Sequence, residues 1–142
     1  MKYNYWLWNV KGFGDQRCHH CIETFKTAKQ LYEASFLELQ KVPGLKEREI
    51  QSLLDSKKSW NLEQEWERLL ESGCTFLTRN DPGYPNRLLN IDPVPFALYS
   101  KGNLPQQDQF QVEIVGARMC TGYGEQVAQQ LGKKKKKMGI GV

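Results

Sequence analysis

Shifting the chain by 32 residues lays one segment over another. Val10-x-Gly12-Phe13-Gly14-x-x-x-Cys18-x-x-Cys21-Ile22 falls on Val42-x-Gly44-Leu45-Lys46-x-x-x-Ile50-x-x-Leu53-Leu54, and Leu7 falls on Leu39. In each copy an apolar stripe at helical spacing ends, a glycine turn carries one hydrophobe, and a second apolar stripe begins. A glycine at such a turn supplies backbone angles that a side chain resists, and the helix that follows opens with unpaired N–H groups. The repeat therefore predicts two helix–turn–helix units within residues 1–60.

Each copy fits the helix-hairpin-helix pattern, h-x-G-h-G with a small or apolar residue four positions on. That predicts a helical helix-hairpin-helix (SAM-like) bundle over residues 1–60. The likeness implies that Gly12, Phe13 and Gly14 form a hairpin against a DNA backbone, since a helix N-terminus receives phosphate without reading bases. The competing reading makes both hairpins plain interhelical turns. In the second copy Lys46 stands where the second glycine belongs. Around the hairpins, Thr27-x-x-Gln30 and Ser35-x-x-Glu38 read as helix starts. Asn61 is expected to cap a helix striped by Leu62, Trp66, Leu69 and Leu70 and closed by Gly73. Tyr3, Trp6, Leu7 and Val10 share one face, read as core rather than as a stacking platform for bases.

After Gly73 the character changes. Cys74–Thr78 reads as a strand, Asn80-Asp-Pro-Gly83 as a turn, and Tyr84–Leu89 as one helical turn. Phe96–Tyr99 is a second strand ahead of the turn Lys101-Gly102, and Gln106–Gln109 are a polar loop. Then Val112-Glu-Ile-Val-Gly116-Ala-Arg118 leads within a few residues into a helical pattern from Thr121 onward. A strand, a glycine turn and a helix in that order open a Rossmann-like unit, whose helix N-terminus holds an anion. The next glycines are Gly122 and Gly124, so the dinucleotide fingerprint is not matched and no cofactor is expected. Arg118 beside the turn suits a phosphate such as a nucleic-acid backbone. The plainer alternative is a buried parallel strand and its turn.

The net charge of +4 among 142 residues rests on Lys133–Lys137. Without that run the balance is 15 basic against 16 acidic residues. Cys18-His-His-Cys21 resembles half of a zinc site, but no second ligand pair follows. Cys18, Cys21, Ile22 and Phe25 instead share one helix face, which turns His19 and His20 outward and leaves no metal expected. No apolar run is long enough to span a membrane and no leader pattern opens the chain, so a cytoplasmic location is expected.

The order of paired hairpins, then "FLTRNDPGYPNRLLNIDPVPFALYSKGNL", then "VEIVGARMCTGYG" resembles the bacterial DNA-processing protein A (DprA/Smf) family along nearly the whole chain. Its specific parts are Asp81-Pro-Gly-Tyr84-Pro85, Pro95-x-x-Leu98-Tyr99-x-Lys101-Gly102, and Val115-Gly116-Ala117-Arg118 with Tyr123-Gly124. The resemblance implies an α+β to α/β architecture with a helical domain over 1–60, connecting elements over 61–110, and the first part of an extended Rossmann-like fold over 111–142. It implies a non-enzymatic protein that binds single-stranded DNA and loads a RecA-type recombinase during natural transformation. On this reading Arg118 sits in the DNA pocket, Gly116, Ala117, Thr121 and Gly124 complete its anion cradle, and Lys101 is a lesser contact. The family dimerises through later parts, and the chain reads as the front portion of such a protein. Glu113 and the lysine run depart from the family pattern. Two other readings are a phosphoribohydrolase-like nucleotide enzyme, whose P-G-G-x-G-T-x-x-E segment is not found here, and a helical protein-interaction module.

Overall fold

Glycines at positive φ and short polar caps divide the first part of the chain into brief helices. In the computed structural model, which describes residues 1–104 and 112–137, these are α1 (Lys2–Trp8), α2 (Asp15–Phe25), α3 (Ala28–Glu33), α4 (Phe36–Gln40), α5 (Glu47–Ser59) and α6 (Leu62–Glu71). The expected caps are in place. The Thr27 hydroxyl accepts from the Gln30 N–H at 3.2 Å and the Asn61 side chain from the Gln64 N–H at 3.2 Å. Ser35 and Glu38 form a reciprocal box, Glu38 accepting the Ser35 N–H at 2.8 Å. Gly73, at φ +71°, ends α6.

The 32-residue repeat is visible bond by bond. In the first copy Asn9 N–H donates to Trp6 O, Val10 to Leu7, Phe13 to Val10 and Cys18 to Gly14, at 3.0–3.2 Å. In the second, Lys41 donates to Glu38, Val42 to Leu39, Leu45 to Val42 and Ile50 to Lys46, at 3.0–3.3 Å. Gly12 and Gly44 occupy the same left-handed position, at φ +84° and +74°. Gly14 and Lys46 both lie just before a helix with extended backbone, at φ −125° and −81°. The second glycine of the pattern is therefore not required by its angles, which explains how a lysine substitutes for it.

The core gathers around α1. Trp6, Leu7 and Val10 are buried with Cys18, Cys21, Leu31, Leu39, Ile50, Leu53, Leu62 and Leu69. The Trp6 indole N–H donates to the Ser56 hydroxyl at 2.9 Å, so a fully buried tryptophan leaves no orphan donor. The α6 stripe is narrower than its spacing predicts, for Leu70 is 56% exposed. Eight residues beyond Leu62, it falls on the rim of the face set by Leu62, Trp66 and Leu69.

β1 (Cys74–Thr78) and β2 (Ala97–Lys101) pair antiparallel, Phe76 opposite Tyr99. A two-stranded sheet is marginal alone. This one is held by Tyr5 of α1, whose ring meets those of Phe76 and Tyr99 at 5.4 and 6.2 Å. Between the strands, Asp81 accepts from the Thr78 N–H and hydroxyl, each at 2.7 Å, and the buried Tyr84 donates to Pro95 O at 2.8 Å. The expected helical turn appears as a 3₁₀ turn, Asn86–Asn90.

All of this belongs to one compact unit, Met1–Leu104, and a second spans Pro105–Val142. In the second unit α7 (Gly122–Lys137) forms, but the expected strand before Gly116 does not. Val115 is 78% exposed and no residue from Val112 to Ala117 pairs in a sheet. A strand needs a neighbour for its N–H and C=O groups, and the described residues of this unit supply none. The polar loop Gln106–Gln109 lies outside the described residues.

Burial pushes the Cys18 thiol up to about 12 and the Cys21 thiol to about 11, from an ordinary value of 9.0. Two outcomes follow. Gly12→Ala and Gly44→Ala are each expected to cost about 1–2 kcal/mol in urea unfolding, while Gly14→Ala, with open space around the added carbon, stays near neutral. Native protein at pH 8 should alkylate readily at the exposed Cys120 and at neither Cys18 nor Cys21 until it unfolds. Because the folded thiols resist ionisation, the stability they contribute is complete below about pH 9 and is lost as pH rises toward 11–12, readable as a falling urea midpoint.

Candidate nucleic-acid interface

Arg118 lies in the bend that precedes α7, and its side chain is exposed. Thr121 follows as the cap: its hydroxyl accepts the Gly124 N–H at 3.2 Å and its carbonyl the Glu125 N–H at 3.0 Å. Thr121 and Gly124 thus act together, but Gly124 spends its N–H on the cap. The first-turn donors left over belong to Gly122 and Tyr123. Gly116, Ala117 and Gly124 line one groove of about 540 Å³ with Cys120, Tyr123 and Val127, and Arg118 stands outside that lining. The groove wall is mainly apolar, so what the turn offers an anion is the helix end and one mobile-length cation beside it. Glu125, one turn into α7, places a carboxylate near the same end.

Lys101 is exposed at the end of β2 in the first unit, where Gly102 turns the chain at φ +82°.

The hairpin Gly12-Phe13-Gly14 presents the α2 N-terminus, bordered by a hollow of about 460 Å³ lined by Gly14, Asp15, Gln16, Arg17 and Pro93. Phe13 packs against the core rather than standing free. Asp15 accepts the Phe96 N–H at 2.5 Å and brings its own negative charge to the helix end. Arg17 Nε pairs with Glu49 at 3.0 Å, and the same guanidinium donates to Gly44 O at 3.0 Å. Glu49 in turn accepts the Lys46 N–H at 2.7 Å. Both hairpin helices therefore begin with carboxylates supplied by the chain itself.

Arg17 and Glu49 are equivalent positions of the repeat, and they meet each other. Contact between equivalent positions is what two units facing one another produce. The repeat alone could have singled this pair out, since position 17 is basic and position 49 acidic. His20 turns away from the core while His19 stands edge-on to the buried Phe96 ring at 5.3 Å, and neither is idle: their Nε2 atoms lie 3.0 Å from Val94 O and 2.6 Å from Pro43 O. Those two bonds carry no sequence signal, being made to backbone carbonyls 75 and 23 residues away. With both cysteines in the core and both histidines against carbonyls, Cys18-His-His-Cys21 works as a packing element.

Thr121→Ala is expected to weaken α7 by about 1 kcal/mol, seen as faster amide hydrogen exchange from Gly124 to Ala128 with no change in β1 or β2.

Residues 75–142 match the model of the family described as DNA recombination-mediator protein A. Protein Smf of Synechocystis sp. (strain ATCC 27184 / PCC 6803 / Kazusa) is 29% identical over 142 positions, which take in 96% of this chain and 36% of the relative. The chain thus spans about a third of the curated relative it matches. No solved structure matches it. No helix among the described residues is long and apolar enough to cross a membrane. The family match takes in most of β1 and all of β2, Lys101, Arg118 and α7, and the similarity to Protein Smf extends through the paired hairpins: both findings support the DNA-processing protein A (Smf) family for this chain.

Proposed function

We propose that this chain contributes to a DNA recombination mediator that binds single-stranded DNA and delivers it to a RecA-type recombinase, without catalysing a reaction of its own. The observation that carries the reading is the match of residues 75–142 to the DNA recombination-mediator protein A family, which takes in Arg118 and the N-terminal turn of α7. There a strand's phosphate would meet the N–H groups of Gly122 and Tyr123, with Arg118 closing on it through a charge-assisted bond. Gly116 and Ala117 keep the approach free of bulky side chains, and Thr121 with Gly124 holds the helix end in shape. Lys101, exposed in the first unit, is a lesser contact of its own. The Gly12-Phe13-Gly14 hairpin is the weaker of the two backbone contacts, because its nearby cation, Arg17, is already paired with Glu49 while Arg118 is exposed.

Binding of this kind reads charge and not sequence, so it falls steeply with salt and is indifferent to base identity. Arg118→Ala should lower affinity for a single-stranded oligonucleotide roughly 10-fold or more, the worth of one bond to a charged group. Fluorescence anisotropy of a labelled oligothymidylate at fixed salt measures it. Unchanged affinity in the folded variant would move the DNA site elsewhere.

A further inference from the structure

α7 does not stop where its apolar positions stop. Its last apolar residue ahead of the lysine run is Leu131, and after Gly132 the helix continues through Lys133–Lys137. Adjacent like charges one helical turn apart destabilise a helix, which only their position at its C-terminal end partly offsets. Among the described residues, Lys133 and Lys134 are exposed and make no ion pair, and the helix's own acid, Glu125, bonds instead to Gln129 at 3.3 Å. The five lysines also exceed the entire positive balance of the chain, which is one net negative charge without them.

We infer that the lysine-bearing end of α7 is a second nucleic-acid contact, holding the phosphate backbone of the same strand that Arg118 and the first turn of α7 receive. The inference rests on the reading given under Proposed function. The two contacts are held apart by the helix itself: at about 1.5 Å per residue, roughly 14 residues separate them by about 20 Å. A backbone with a phosphate every ~3.4 Å covers that span in about six nucleotides, within the site sizes seen for single-strand binding. α7 becomes a rail with a cation at each end, along which one strand lies. An anionic membrane is the weaker partner, because a helix that lies on lipid needs large apolar residues among its lysines. Residues 132–137 hold only glycine and lysine.

The test uses the full chain and a labelled 20-nucleotide oligothymidylate, with affinity measured by anisotropy between 50 and 200 mM salt. Three variants are compared with the unaltered chain: Lys133–Lys137 all to Gln, the same five all to Arg, and Arg118→Ala. Glutamine keeps the helical propensity of lysine, and circular dichroism verifies that α7 persists. The Gln variant should lose about 2–3 units of the log–log salt slope, at about 0.7 per phosphate for three or four contacts. The Arg variant should keep the slope, and Arg118→Ala should lose about 0.7. An unchanged slope in the Gln variant overturns the second contact and leaves the Arg118 reading standing. A slope lost with the lysines but untouched by Arg118→Ala does the reverse. Absence of binding by the unaltered chain overturns both. Lysine-dependent sedimentation with phosphatidylserine vesicles, alongside an unaffected oligonucleotide slope, reassigns the surface to membrane and overturns the inference.

Discussion

Everything in the first unit depends on burying one short helix from several sides. α1 has seven residues, too few to be stable by itself; neither end carries a charged complement, and only the C-terminal end has a side-chain cap, the Asn9 amide donating to Tyr5 O at 2.8 Å. It exists because Trp6 and Leu7 are wholly enclosed and because Tyr5, on its flank, meets Trp60, Trp66, Phe76 and Tyr99 edge-on or tilted. Trp6 reaches the helices of the second hairpin through Ser56, while Tyr5 reaches α6 and the sheet. One aromatic pair thus joins the twin hairpins to the strands that follow them.

The hairpins settle against each other by a different force. Arg17 spans from the start of α2 to Glu49 and Gly44 O, and His20 to Pro43 O, so the first copy clasps the turn of the second. This clasp draws on the same first-turn positions that would otherwise welcome a phosphate. Where α2 and α5 begin, the chain supplies its own carboxylates, Asp15, Glu47 and Glu49. At α7 the arrangement is more open: an exposed arginine precedes the helix, and the hydroxyl of Thr121 serves as a neutral cap. All three helices carry an acid in the first turn, Glu125 in α7, so what sets α7 apart is the exposed arginine ahead of it.

The helix starts at Thr27, Ser35 and Asn61, the strand Cys74–Thr78 and the buried face of Cys18 and Cys21 were all legible in the sequence. The caps and the cysteine face are governed by bonds or periodicity within a few residues, and the strand found its neighbour in Ala97–Lys101. The strand proposed before Gly116 was not of that kind. Val112, Ile114 and Val115 have the composition of a buried strand, but composition cannot create the neighbour whose backbone would complete the ladder. Leu70 failed for a related reason, since a helical stripe says which residues share a face and not how wide a face its partner covers. Around the candidate site, the helix that begins just after Thr121 was legible from spacing. That Gly124 gives its N–H to Thr121 was not, because a cap's geometry depends on where the helix begins.

By itself the sequence determined the two left-handed turns at Gly12 and Gly44, the caps, the concentration of positive charge in Lys133–Lys137, and the family through its ordered motifs. These are properties of single residues or short windows, and backbone sterics, local hydrogen bonds and charge act there without reference to distant parts. Only the tertiary structure decided that Tyr5 unites α1 with α6 and the sheet, and that His19 and His20 are bound to carbonyls. Those contacts join residues tens of positions apart. Their energy appears only once the intervening chain has been ordered, so no local rule carries their signature.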